Sequence, residues 1–198
     1  MKQNLSFLLL CILLCCNIKT FGQEQNQLKI QKEKESAEKS WDQLGELLGS
    51  ISFEVTTPDT ATYENGIIPW ASLEKPDEAI PNLKYANEIM ITSSKITVII
   101  DYPLNIEYQL ELTSDTGFSR ATLLKEISKA YYKIYKEEEA TASVKTIPVE
   151  KRTTMRNRNE TNGKHGIWGH DLADLALSGI MVYTTKDGKT VLTLMIES

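Results

Sequence analysis

The sequence predicts an α+β domain: a mainly antiparallel sheet of about five strands, covered on one face by two helices and ending in a β-hairpin. Three observations carry this. Apolar residues alternate with polar ones around residues 51–55 and 106–112, and residues 179–198 read as two strands about a turn. Helical spacing appears in two segments, 37–48 and 119–139, and strands come in runs broken by a helix instead of strict alternation.

The chain of 198 residues opens with "MKQNLSFLLLCILLCCNIKTFGQEQN". Lys2, the apolar run Leu5 to Cys16 and the small-residue pattern Thr20-Phe21-Gly22 have the layout of a secretory signal peptide over residues 1–22. That run is shorter than the roughly 20 apolar residues that span a bilayer, so a retained anchor is the weaker reading. Lipid attachment is a lesser option, since the residues before Cys11, Cys15 and Cys16 are Leu10, Leu14 and Cys15, where a lipoprotein signal wants a small residue. The expectation is a secreted or periplasmic protein with no membrane span after cleavage.

Cleavage after Gly22 leaves a chain without cysteine, so a domain of about 175 residues must be held by its core alone. Loss of Lys2 and Lys19 takes the formal charge from -5 to -7. An acidic chain argues against nucleic-acid partners.

Residues 23–36 read as a polar charged spacer, with one domain over 37–198. Ala37, Trp41, Leu44 and Leu48 share one helical face, Glu35 and Lys39 form a favourable four-residue pair, and Gly49 closes the helix. Ile51, Phe53 and Val55 then alternate as a strand. Residues 58–86 hold Pro58, Pro69, Pro76 and Pro81 in a long irregular segment, with Ile67, Ile68, Trp70 and Leu73 as its packing. A short strand follows from Glu88. After it come a central strand with Ile96, Val98, Ile99 and Ile100, a turn at Tyr102-Pro103-Leu104-Asn105, and a half-exposed strand with Ile106, Tyr108, Leu110 and Leu112.

"TGFSRATLLKEISKAYYKIYKEEEA" is the clearest helix, with Ser119 as N-cap and Leu123, Ile127, Ala130 and Ile134 as the buried stripe, flanked by Tyr131 and Tyr135. Glu137, Glu138 and Glu139 crowd the negative end of its dipole and call for a nearby cation. The loop at about 141–165 supplies Lys145, Lys151, Arg152, Arg156, Arg158 and Lys164, and compensation by Lys151, Arg152, Arg156 and Arg158 is expected. The same residues also suit an anion-binding loop, although no aromatics interleave with them. "GIMVYTT", "KDGK" and "TVLTLMIES" close the chain as a hairpin with Asp187-Gly188 as a two-residue type I′ turn.

"HGIWGHDLADLALSGI" carries both histidines of the protein. His165, His170, Asp171 and Asp174 are numerically sufficient to ligate zinc or another divalent ion, but their spacing matches no established metal motif. The structural alternative has Trp168 and Leu172 packed inward, His165 in solvent, and Asp171 or Asp174 bonded to backbone amides. Glycine at 163, 166 and 169 forms neither a dinucleotide fingerprint nor a P-loop. A Ser-His-Asp set would have to draw on one of these histidines, and no serine has a supporting context.

"GFSRATLLKEISKAYYKIYKEEE" followed by "GIWGHDLADLALSGI" and a closing strand resembles the C-terminal half of a group of small bacterial proteins, over about residues 90–198. The resemblance implies that both segments belong to one domain, and it brings no activity and no site residues. The function read from the residues is an exported, non-catalytic binding or interaction domain for an unknown protein or an anionic small ligand, without a cofactor. Its candidate surface is Arg152, Arg156, Arg158 and Trp168. The alternative is a metal-dependent hydrolase using the corner from His165 to Asp174.

Overall fold

A computed structural model describes residues 26–152 and 157–198. The apolar run Leu5 to Cys16 with the three cysteines, on which the signal-peptide expectation rests, and Arg156 of the basic loop lie outside the described residues.

The alternating segments build one mostly antiparallel sheet of six strands. β1 (Glu46–Ser52), β9 (Ala176–Thr184), β10 (Thr190–Glu197), β6 (Lys95–Ile100) and β7 (Tyr108–Thr113) lie side by side in that order. β4 (Ala71–Ser72) pairs with the start of β9. Two sequential antiparallel pairs, β6 with β7 and β9 with β10, are joined where β10 runs parallel to β6 in the register Leu192 to Val98. Two small ribbons complete the strands, β2 (Val55–Thr56) with β3 (Ile67–Ile68) and β5 (Ile89–Ile91) with β8 (Phe118–Ser119).

α3 (Arg120–Thr141) starts where the sequence puts it, with the Ser119 side chain accepting from the Thr122 amide. Its Leu123, Leu124, Ile127, Tyr131 and Ile134 are fully buried and join one core cluster with Ile51, Val98, Ile100, Ile180 and Leu192 of the strands. The Tyr131 hydroxyl donates to the Tyr102 carbonyl at 2.7 Å, so its burial leaves no donor unpaired. α2 (Pro76–Ala79) is a single turn that adds Ala79 to the core.

The segment from 26 to 52 departs from the expected pattern. Helix α1 occupies residues 26–37, the stretch read as a solvated spacer, and the stripe Ala37, Trp41, Leu44, Leu48 does not form a helix. Residues 46–52 instead extend along β9, Gly49 sits within β1, and Leu47 and Leu48 are exposed. Two physical terms override the local period. The ladder with β9 satisfies backbone groups along β1 and seats Ile51 in the core, while α1 finds polar partners across the fold. The expected Glu35–Lys39 pair is replaced: Gln31 donates to Glu35 at 2.7 Å, and Lys39 pairs with Asp101 at 2.9 Å.

The hairpin forms, but its turn is wider than the two-residue type I′ reading. Thr185 and Lys189 close it with a backbone bond of 2.9 Å, the Gly188 amide donates to the Thr185 carbonyl, and Gly188 has φ +77°. That is a three-residue loop whose last position needs the left-handed region. The irregular segment packs inward through Leu73, which is fully buried, whereas Trp70 faces outward.

Candidate functional site

The corner after α3 is organised by a buried carboxylate. Ile127, Tyr131, Ile134 and Glu138 follow one helical face, so Glu138 enters the interior and is 0 % exposed. Its oxygens accept from the amides of Gly163 (2.7 Å), His165 (2.8 Å) and Gly166 (3.0 Å). A side chain at 163 would meet the carboxylate at 2.7 Å, so the loop can close on it only with glycine there. Burial pushes the Glu138 carboxyl up, but the amides and the Thr161 hydroxyl outweigh it and leave the group below its ordinary value.

The other glutamates are relieved differently from the expectation. Lys164 approaches Glu137 at 2.8 Å and His165 Nε2 approaches it at 2.9 Å; Lys164 first and His165 second hold the Glu137 carboxyl down at about 2. Lys145 donates to the Glu139 carbonyl. The arginines expected to compensate the glutamates turn elsewhere. Arg152 makes a two-point contact with Asp171 at 2.6 and 3.0 Å, and Arg158 lies 3.6 Å from the same carboxylate.

These contacts separate the four residues considered as metal ligands. His165 is buried against Glu137 and edge-on to Tyr108, His170 faces Tyr102 and Glu33, Asp171 faces the arginines, and Asp174 accepts from the Asp171 amide at 2.9 Å. Among the described residues no group of three or more His, Cys, Asp or Glu is placed to hold a metal ion. The placement of His165 in solvent is also corrected, because its carbonyl and amide are tied to residues 105 and 138 and draw the ring inward. Trp168 packs inward as the structural alternative requires, and Leu172 is half-buried against the core. Arg152 and Arg158 face Asp171 and Trp168 packs inward, so these three side chains are buried or half-buried and do not form an open surface.

A second polar cluster lies where α1 meets this corner. The Tyr102 hydroxyl donates to Glu33 at 2.9 Å and contacts Ser198 Oγ at 2.7 Å. His170 Nε2 lies 2.7 Å from the other Glu33 oxygen. A carboxylate only accepts, so that nitrogen carries a hydrogen. Burial, more than offsetting the Ser198 contact and aided by Glu33, raises the Tyr102 hydroxyl far above its ordinary value and keeps it a donor. The same Tyr102 hydroxyl lies 2.9 Å from His170 Nε2, so Ser198 meets the imidazole only through the phenol.

On the far side of Asp174 is an open groove of about 480 Å³. Val55, Ile68, Ala79 and Leu175 line it, with Tyr63, Trp70, Lys75, Glu78, Asn82 and Asp174 among its other walls. Trp70 is 36 % exposed, and the Thr56 hydroxyl donates to the Asn82 carbonyl at 3.1 Å to hold two walls together.

Fold and site define an α+β domain with a packed polar corner beside an open, aromatic-lined groove. Comparison of the chain with protein families, curated proteins and solved structures finds no significant match. No described helix is long and apolar enough to cross a membrane.

Glu138 was named only as one of three glutamates crowding the helix end, and its buried role, like the whole of Glu33's, was not read from the sequence. Glu138 had a readable signal, a carboxylate in phase with Ile127, Tyr131 and Ile134. Glu33 had none, since its partners are 69 and 137 positions away.

Proposed function

We propose that this chain is an exported, non-catalytic binding domain whose ligand lies in the groove beside Trp70. The observation that supports this is the contrast between the two regions. The histidines and aspartates of the corner are engaged with protein groups, whereas Trp70 stands partly exposed over an apolar floor with Lys75, Glu78 and Asp174 at hand. Such a wall takes an amphipathic ligand that lays an apolar face on the aromatics and turns its polar groups to the charged side chains.

The probe is anilinonaphthalene sulfonate, which carries an aromatic face and one anionic group. Saturable binding to the folded chain, weakened at least tenfold by Trp70→Ala with the unfolding midpoint unchanged, is the expected result. Binding that is absent, or indifferent to Trp70→Ala, overturns the reading. Export is tested separately by intact mass in the native host: loss of residues 1–22 supports it, and their retention, or lipid on a cysteine, overturns it.

A further inference from the structure

α1 is held to the fold by charge, not by the core. Leu28 and Ile30 are 46 % and 60 % exposed, and no residue of 26–37 belongs to the core cluster. Its attachments are polar: Lys32 to Glu160 at 2.6 Å and to Asn105 at 2.9 Å, and Glu33 to Tyr102 and His170. Lys39, just beyond the helix, reaches Asp101. Exposed or half-exposed ion pairs contribute little each. Such an element opens locally without unfolding the sheet.

The surface beneath it is built differently. Tyr102, Trp168 and His170 are buried and mutually in contact, with ring centroids 5.1 to 5.9 Å apart. Arg158, 7 % exposed, lies beside them; its Nη1 is 3.6 Å from Asp171, while its buried Nε has no hydrogen-bond partner among the described residues. Arg158 lines a cavity of about 30 Å³ together with Leu28, Lys29 and Lys32 of α1, Trp168, Gly169 and Glu160, whose carboxylate takes Lys32. A buried guanidinium nitrogen left unpaired is costly in a fold that otherwise pairs its polar groups, and it marks a place for an acceptor. The Glu33 carboxylate next door shows what chemistry the floor accepts: one carboxylate held between a phenol hydroxyl and an imidazole N–H.

We propose that the floor formed by Tyr102, His170, Trp168 and Arg158 is a recognition site for a glutamate-bearing peptide segment of a partner, and that α1 occupies it in the unliganded chain with Glu33 standing in for the partner's carboxylate. The flanking acceptors Glu160 and Asn105, which take Lys32, specify a lysine next to that glutamate. A Lys-Glu pair on a short helix meets both requirements at once, which a free carboxylate does not. The tether through residues 38–45 gives α1 a high effective concentration, so an external segment competes only when α1 lifts. This site is separate from the groove at Trp70, and neither proposal depends on the other.

The probe is a capped peptide of sequence NQLKIQKEKESAEK, residues 26–39, titrated calorimetrically into the full chain. Weakening the internal plug with Glu33→Gln in the protein is expected to tighten binding of the unaltered peptide at least tenfold. Glu33→Gln in the peptide is expected to loosen it at least tenfold, and 10 mM acetate should not displace it. No binding to either protein, or equal binding of both peptides, overturns the proposal; displacement by acetate overturns the assignment to a peptide. Hydrogen exchange on the unaltered chain gives a measure that needs no variant. Amides of residues 28–37 should exchange well before those of the centre of α3, and exchange of both at the same slow rate would show that α1 does not lift.

Discussion

Replacing Glu138 by alanine tests whether the corner is a rigid scaffold organised from one buried carboxylate. The substitution removes the acceptor for three amides at 2.7 to 3.0 Å. Gly163 is partly exposed and can recruit water, but His165 and Gly166 are buried and cannot. An unsatisfied buried amide costs about 1–3 kcal/mol, so two of them cost about 2–6 kcal/mol, a large share of the roughly 5–15 kcal/mol that holds a domain together. Glu138→Gln keeps one acceptor oxygen and turns an amide donor toward the other N–H groups, so it should fall between the two. Urea unfolding followed by circular dichroism measures both, read at constant slope.

The same experiment has a pH arm with a definite sign. The folded Glu138 pKa lies below its ordinary value, so its contribution is complete above the unfolded value of about 4.3 and is lost as pH falls through the lower folded value. Wild type and Glu138→Gln should therefore differ most near neutral pH and converge in acid. An alanine variant within about 0.5 kcal/mol of wild type, the scatter of ordinary surface changes, would refute the account of the corner.

Arg152→Lys cannot reproduce the two-point contact with Asp171 and should cost about 1–3 kcal/mol by urea unfolding; a loss below 0.5 kcal/mol would show that the pair is not a structural tie. Gly188→Ala, at φ +77° with open space around a new Cβ, should cost about 1 kcal/mol from backbone conformation alone, with Gly188→Asn costing less; identical thermal midpoints would contradict the left-handed assignment. Zinc titrated calorimetrically at pH 7.5 should give no binding that His170→Ala removes, since that imidazole is held by Glu33 and Tyr102. A saturable isotherm lost in the variant would restore the metal reading of the corner.

The fold class was legible because the core of this protein obeys local periods. Ile96 to Ile100, the alternation through β7, the capped helix from Ser119 and the closing hairpin all bury the face that their spacing selects. Where the period misled, at Trp41, Leu44 and Leu48, pairing of residues 46–52 with β9 supplied a competing ladder some 130 positions away in the chain, which no local window contains. The partners of the charged groups were hidden for the same reason. Composition shows that the glutamates ending α3 need relief, and the nearby loop holds six cations to provide it. Only the folded path decides that Lys164 reaches Glu137, that backbone amides satisfy Glu138, and that Arg152 and Arg158 turn to Asp171. Charge is a long-range property of a sequence, but a hydrogen bond needs two atoms within about 3 Å, and that proximity exists only once the sheet, α3 and the returning loop are assembled.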